Sequence, residues 1–231
     1  LKCNHMFNLT QFATSLRHTN CVLCEANTRS SVSICKDCWQ TLPWQSNHCC
    51  PQCGLSTQGS ICGSCLSDPP SFDRTHALFT YAYPIDALLQ AFKYQHQLHL
   101  GHLFAQVSLK QFDPMGIDSI VAMPMHPARL QHRGFNQSIE LAKSIVKHWQ
   151  LPLATQHCQR IKNTPPQASL PLKDRVKNIK GAFRCDSYFE GKRVAVVDDV
   201  MTSGASLNEL ANTLKQAGAI EVSCWIIART Y

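Results

Sequence analysis

Four Cys-x-x-Cys pairs fall within the 45 residues from Cys21 to Cys65, and they constrain this chain more than any other feature. Cys21-Val-Leu-Cys24 is followed after ten residues by Cys35-Lys-Asp-Cys38. Cys50-Pro-Gln-Cys53 is followed after eight residues by Cys62-Gly-Ser-Cys65. Each pair turns the chain so that two sulfurs point at one place, and two such turns make a tetrahedral thiolate cage suited to zinc. Pro51, Gly54 and Gly63 are the turn-formers that such knuckles need. Joining first pair to second and third to fourth needs the shortest loops, and a cross-braced arrangement is the alternative. His48 or Cys49 could replace a neighbour, while Cys3 and His5 are read as bystanders. A redox Cys-x-x-Cys is the rival reading, but that chemistry uses one pair beside a βαβ unit. The expected metal is therefore two structural zinc ions, held by Cys21, Cys24, Cys35 and Cys38 and by Cys50, Cys53, Cys62 and Cys65. Four thiolates leave no open position for catalysis. A stretch this short, with few apolar side chains, draws its folding energy from the metal.

Ten of the 13 cysteines lie at or before Cys65, which divides the chain into two kinds of sequence. The expected organisation is an N-terminal extension over 1–20, a double zinc ribbon over 21–68 and a second domain over 69–231. Thiolate pairs of this kind point to a reducing compartment. The opening LKCNHMFNLTQF lacks a continuous apolar core and a cleavage site, so no signal peptide is expected. Nor does any apolar run reach the length of a transmembrane segment. A cytoplasmic location follows from these readings. The formal net charge of +7 favours polyanionic partners over acidic ones.

Pro69 and Pro70 mark the break. Beyond them, His76–Tyr83 reads as a strand, and apolar positions 85, 88, 89 and 92 trace one helix face after Pro84. Helices are expected over 98–112 and 138–149, and strands over Ser119–Met123, Val194–Val197 and Ile220–Ala228. A further helix runs from near Ala205 to Gly218. Apolar strands without alternation, separated by helices, predict an α/β fold with a parallel sheet buried on both faces. His96, His99 and His102 are read as a solvated face rather than a metal site.

The stretch VAVVDDVMTSGAS, Val194–Ser206, carries the candidate chemistry. In a parallel sheet, ligands bind beyond the carboxyl ends of the strands. There Asp198 and Asp199 are followed by a hydroxyl-rich turn at a helix start, where unpaired backbone N–H groups and the helix dipole cradle phosphate. Thr202, Ser203 and Ser206 offer hydroxyls, and Gly204 admits close approach. The two carboxylates suit sugar hydroxyls or a divalent cation beside the phosphate. Together these features spell a ribose 5-phosphate site.

This pattern resembles the signature of type I phosphoribosyltransferases, which bind phosphoribosyl pyrophosphate (PRPP). From Cys21 onward the chain resembles the ComF/GntX family, in which a double zinc ribbon precedes a phosphoribosyltransferase-like domain. RLQHRGFNQS (Arg129–Ser138) and RIKNTPPQASLPLKDRVKNIKGAF (Arg160–Phe183) are distinctive of that branch. The resemblance implies that Asp198 and Asp199 hold the ribose hydroxyls and act on the sugar in any reaction. It implies that Met201, Thr202, Ser203, Gly204, Ala205 and Ser206 hold the 5-phosphate. Ala122–His126, with Arg129 and Arg133, would meet pyrophosphate, and magnesium would accompany PRPP. The basic segment 160–180, including Arg160, Arg175 and Lys177, corresponds to a mobile loop over the site. It contains one acid, Asp174, so a cationic cover over pyrophosphate or DNA is physically reasonable.

The resemblance also implies natural transformation: a PRPP-binding protein handling incoming single-stranded DNA, with DNA-uptake proteins at the inner membrane as partners. Trp39, Trp44 and Phe135 could stack on bases, core packing being the alternative reading and the preferred one for Phe135. The second reading is a true phosphoribosyltransferase with an unknown acceptor. Thr202 stands where 6-oxopurine transferases carry a further acid, which counts against hypoxanthine or guanine. Few residues follow the last strand, so no hood over a base is expected.

Overall fold

In the computed structural model, the described residues are 19–46, 48–164 and 177–231. The chain divides into two compact units, Leu1–Thr41 and Leu42–Tyr231. The smaller holds β1 (Thr19–Asn20), β2 (Asn27–Thr28) and α1 (Lys36–Gln40). Its two strands pair antiparallel. Cys35 caps α1, its sulfur accepting from the Cys38 N–H at 3.5 Å.

The larger unit begins with α2 (Gly63–Ser67), β3 (Arg74–Thr80), α3 (Ile85–Tyr94) and α4 (Leu98–Gln111). It continues with β4 (Ser119–Ala122), α5 (Pro127–Arg133), α6 (Gln137–Trp149), β5 (Cys158–Arg160) and β6 (Phe183–Cys185), and closes with β7 (Arg193–Met201), α7 (Ala205–Gln216) and β8 (Glu221–Arg229). Four strands form one sheet in the order β3-β8-β7-β4, every neighbour parallel. The predicted parallel α/β sheet and the small cysteine module are both present, and the predicted helices and strands each have a counterpart.

Alternation along β8 divides the core. Val222, Cys224 and Ile226 join Leu207, Leu210, Ala211 and Leu214 of α7 in one cluster. Trp225 faces the other way, stacked at 5.4 Å on Phe112 beyond α4 and edge-on at 5.4 Å to Trp149 of α6. The i, i+3, i+4, i+7 spacing of the α7 residues explains why this segment is a helix and which side it buries.

One strand differs from the sequence reading. The run expected over Val194–Val197 extends to Met201, so both acids lie inside β7. The cause is its neighbour: β8 keeps pairing past Asp198↔Ile226 to Met201↔Arg229, whereas β4 stops at Ala122↔Val197. The last four residues of β7 thus have a partner strand on one side and a notch on the other.

Leu210 is fully buried. Leu210→Ala should cost about 2–5 kcal/mol and lower the cooperative thermal transition of the sheet unit, as read by circular dichroism.

Candidate functional site

The notch opens into a cavity of about 800 Å³. Its floor is the end of β7. Asp198 Oδ1 accepts from Ser138 Oγ at 2.9 Å and from the Asp199 N–H at 3.0 Å. Burial, then the neighbouring Asp199 charge, push the Asp198 carboxyl up to about 7, against the pull of Lys93. Asp199 is 3% exposed. Its Oδ2 meets Lys93 Nζ at 3.0 Å as an ion pair rather than an aligned hydrogen bond. Burial works against the Lys93 charge, but Asp199 and Asp198 outweigh it and its pKa is raised. Lys93 escaped the sequence reading: on the helix it appears as a lone basic residue beside an apolar stripe, and only the fold brings it to the acid pair.

The rim beyond the acids is the turn from Met201 to Ser206, all six of whose residues line the cavity. Gly204 sits at φ +77°, a left-handed conformation that side chains disfavour, and caps α7. A Cβ there would come within 2.8 Å of Met201 Cε. The start of this turn is fastened from behind by Arg229, 3% exposed. Its Nη1 donates to Met201 O at 3.0 Å, to Thr202 O and to Thr230 O. Its Nε donates to Cys53 O at 2.9 Å. One guanidinium therefore links the turn after β7 to the second cysteine set.

The cavity lining is also cationic. Arg129, Arg133 and Arg160 all reach the cavity. Arg160 donates from Nη2 to Thr164 Oγ1 at 2.6 Å, while its buried Nε has no partner. Arg129 Nη2 is likewise buried without one. Desolvation and the Arg129 charge hold Arg160 down to about 10, and desolvation and Arg133 lower Arg129. Mutually repelling guanidiniums with unused buried donors fit an anion between them. Arg133 is steadied by Gln137 Oε1 at 2.9 Å and by the Tyr94 ring at 5.2 Å. Asn136, also missed from the sequence, donates from Nδ2 to Met123 O at 3.0 Å and caps α6 through the Ser138 N–H. It thereby fixes both the Met123–Met125 wall and the Ser138 hydroxyl. Lys177 is exposed and apart from the cavity-lining residues. Arg175 lies outside the described residues.

The cysteines gather as two sets, Cys21, Cys24, Cys35 and Cys38 and Cys50, Cys53, Cys62 and Cys65, with the ligand sulfurs of each within 4.8 Å of one another. Pairing is thus sequential, and Cys49 joins neither set. Cys24 and Cys35 sulfurs lie 3.7 Å apart, and Cys53 and Cys62 3.5 Å. Zinc–sulfur bonds of about 2.3 Å in a tetrahedron require roughly 3.8 Å between sulfurs. Burial raises the Cys21 thiol, but N–H donors from Cys35, Leu23 and Cys24 prevail and hold it at about 6. Cys38, against the sulfurs of Cys24 and Cys35, is pushed up. One easily ionised thiol suppressing its neighbours is the electrostatics of a cage that fits a dication. The residues therefore suit structural zinc.

Among the other residues considered from sequence, Trp44 packs on Phe79 with ring centres 4.6 Å apart, and Phe135 lies 5.7 Å from Phe92. Both are packed against neighbouring rings. His96, His99 and His102 are exposed and form no metal-binding group among the described residues. No helix among the described residues is long and apolar enough to cross a membrane.

Residues 16–67 match the family described as a double zinc ribbon domain. Competence protein F of Haemophilus influenzae is 30% identical over 222 residues, covering 90% of this chain and 96% of that protein. DNA utilization protein YhgH of Salmonella typhimurium is 32% identical over 212 residues, covering 87% and 92%. Competence protein ComFC of Streptococcus pneumoniae is 24% identical over 198 residues, covering 85% and 87%. Among solved structures, the glutamine phosphoribosylpyrophosphate amidotransferase from B. subtilis overlaps 56% of this chain and 25% of its own, at 22% identity and a TM-score of 0.36. An overlap of that extent says nothing about ligands.

Two measurements follow. The raised carboxyl of Asp198 means that the folded state binds more protons than the unfolded state between roughly pH 4 and 7, so this residue's contribution to stability falls as pH rises through that window. Asp198→Asn should therefore gain melting temperature over the parent progressively from pH 4 to 7, with the difference level above about 8; a constant difference would contradict the assignment. Metal analysis should return two zinc ions per chain. Cys35→Ser and Cys62→Ser should each lose one, and Cys62→Ser should also lower the melting temperature of the sheet unit through the Cys53–Arg229 bond.

Proposed function

The chain belongs to the competence protein F family, and on that footing we propose that it is a PRPP-binding, phosphoribosyltransferase-like protein that handles incoming single-stranded DNA in the cytoplasm during natural transformation. The observation that carries the ligand is the polarity of the cavity. Two carboxylates and a Gly204 turn line it together with three guanidiniums, two of them with unused buried donors. PRPP carries the matching set of groups. Its 5-phosphate suits the Thr202–Ser206 turn at the start of α7, its ribose hydroxyls suit Asp198 and Asp199, and its pyrophosphate suits Arg129, Arg133 and Arg160.

Asp198 at about 7 can accept a hydrogen bond from a ribose hydroxyl when ionised, and Ser138 holds the orientation of its Oδ1. Lys93 already neutralises Asp199, which keeps a strand with two adjacent acids tolerable before any ligand arrives. Arg129, Arg133 and Arg160 would hold the pyrophosphate, and magnesium, when bound with PRPP, would supply further stabilisation of its charge. The DNA role draws on the names of the relatives and on the net charge of +7. Arg129, Arg133, Arg160, Arg175 and Lys177 would follow the phosphates. DNA-uptake proteins at the inner membrane are the partners this role calls for.

A second reading, transfer of ribose 5-phosphate from PRPP to an unknown acceptor, is favoured by one observation. A carboxyl titrating near neutrality lies on the cavity floor, able to take or return a proton at working pH.

PRPP with magnesium at 100 times its Kd should stabilise the folded protein by about 2.7 kcal/mol, read as a rise in melting temperature. Gly204→Val and Arg129→Ala should each abolish most of that rise, and an undiminished shift in both would refute the site. Single-stranded oligonucleotide binding should weaken with salt, at a log–log slope of about −0.7 per phosphate contact. Arg175→Ala with Lys177→Ala should flatten that slope by about 1.4 on the same relation. PRPP should compete with the oligonucleotide. Pyrophosphate release on adding an acceptor separates the second reading from the first.

A further inference from the structure

Cys158 and Cys185 face each other across the β5–β6 pair. Their Cα positions are direct partners, and their sulfurs lie 3.1 Å apart. The Asp186 N–H donates to His157 O at 3.2 Å, and the Ile161 N–H donates to Ala182 O at 2.8 Å. Those bonds place 158/185 at a non-hydrogen-bonded position, where facing side chains of antiparallel strands come closest. A disulfide needs Cβ atoms about 3.5–4.5 Å apart and sulfurs at about 2.05 Å. The sulfurs are thus within about 1 Å of bonding distance, a gap that rotation about the side-chain bonds can close.

The register is pinned from outside. His157 Nδ1 lies 2.9 Å from Asp186 Oδ2, the His157 ring stacks on Tyr188 at 4.0 Å, and Lys192 Nζ sits 3.2 Å from the centre of the Tyr188 ring. Beyond the pair, Lys162 Nζ donates to Lys180 O at 2.7 Å. Cys158 is 3% exposed, whereas Cys185 is half-buried, so a small oxidant reaches Cys185 first. Neither belongs to a metal-binding group among the described residues.

We propose that Cys158 and Cys185 form a reversible dithiol–disulfide site that, when oxidised by a hydroperoxide, ties together the two strands flanking residues 161–182. The Cys185 thiolate attacks the peroxide, breaking the O–O bond; the sulfur becomes a sulfenic acid, and the other oxygen leaves as water or alcohol. The Cys158 sulfur then attacks the sulfenic sulfur. The S–S bond forms, the S–O bond breaks, and the departing hydroxide takes the Cys158 proton as water. In total two thiols lose two electrons and two protons, and the peroxide is reduced. The link would lock β5, the strand that carries Arg160 to the cavity wall.

The test uses the full zinc-loaded chain, treated with hydrogen peroxide at doses that release no zinc, then alkylated and digested with trypsin. Peptide 148–160 should appear joined to peptide 185–192, two hydrogens lighter than their sum. The joined species should vanish after dithiothreitol and be absent from Cys185→Ser. The Ile161 amide should exchange with deuterium at least several-fold more slowly in the oxidised chain. Alkylated but separate peptides, or a link from either cysteine to a different one, would overturn the site. A link that leaves Ile161 exchange unchanged would overturn the tie between the strands.

Discussion

Everything around the cavity depends on the ion pair between Lys93 and Asp199. Two adjacent carboxylates inside a strand whose apolar residues are almost wholly buried would repel each other in a medium that screens poorly. The ammonium at 3.0 Å makes the arrangement tolerable. It leaves Asp198 as the acid whose charge responds to its surroundings, with Ser138 and a backbone N–H to orient it. α3 and α6 thus each give one polar side chain to the end of β7; the other buried residues of α3 are apolar, and α6 adds the buried Gln137 that accepts from Arg133. The cationic wall is a separate construction. Its guanidiniums gather on α5 and β5, beside the end of β4, where β7 runs on without a strand on that side.

Much of this was legible in the sequence, for local reasons. Metal ligands three residues apart and a charged pair after an apolar run are short-range patterns. The alternation of strand and helix textures is nearly so. What was not legible depends on long-range pairing. The apolar run breaks at Asp198, so β7 looked as though it ended there, yet β8 carries it on to Met201. Lys93 reaches an acid more than a hundred positions away. Asn136 is a cap and a wall support at once, and a single Asn gives no sign of either. The three-residue strands β5 and β6 are too short to show any period.

The Arg229 guanidinium bears on where the sheet unit can be cut. Pro69 and Pro70 look like a clean seam, but the Cys53 carbonyl upstream of them is the acceptor for Arg229 Nε, and the Pro51 carbonyl accepts the Thr75 N–H at 2.8 Å. A polypeptide starting at residue 69 would keep every strand of the four-stranded sheet and yet lose the acceptors of Arg229 Nε and of the Thr75 N–H. The same guanidinium holds Met201 O and Thr202 O through Nη1. The compact unit that holds the sheet begins at Leu42 and includes the Cys50, Cys53, Cys62 and Cys65 set, so the sheet and that thiol cage are packed as one body.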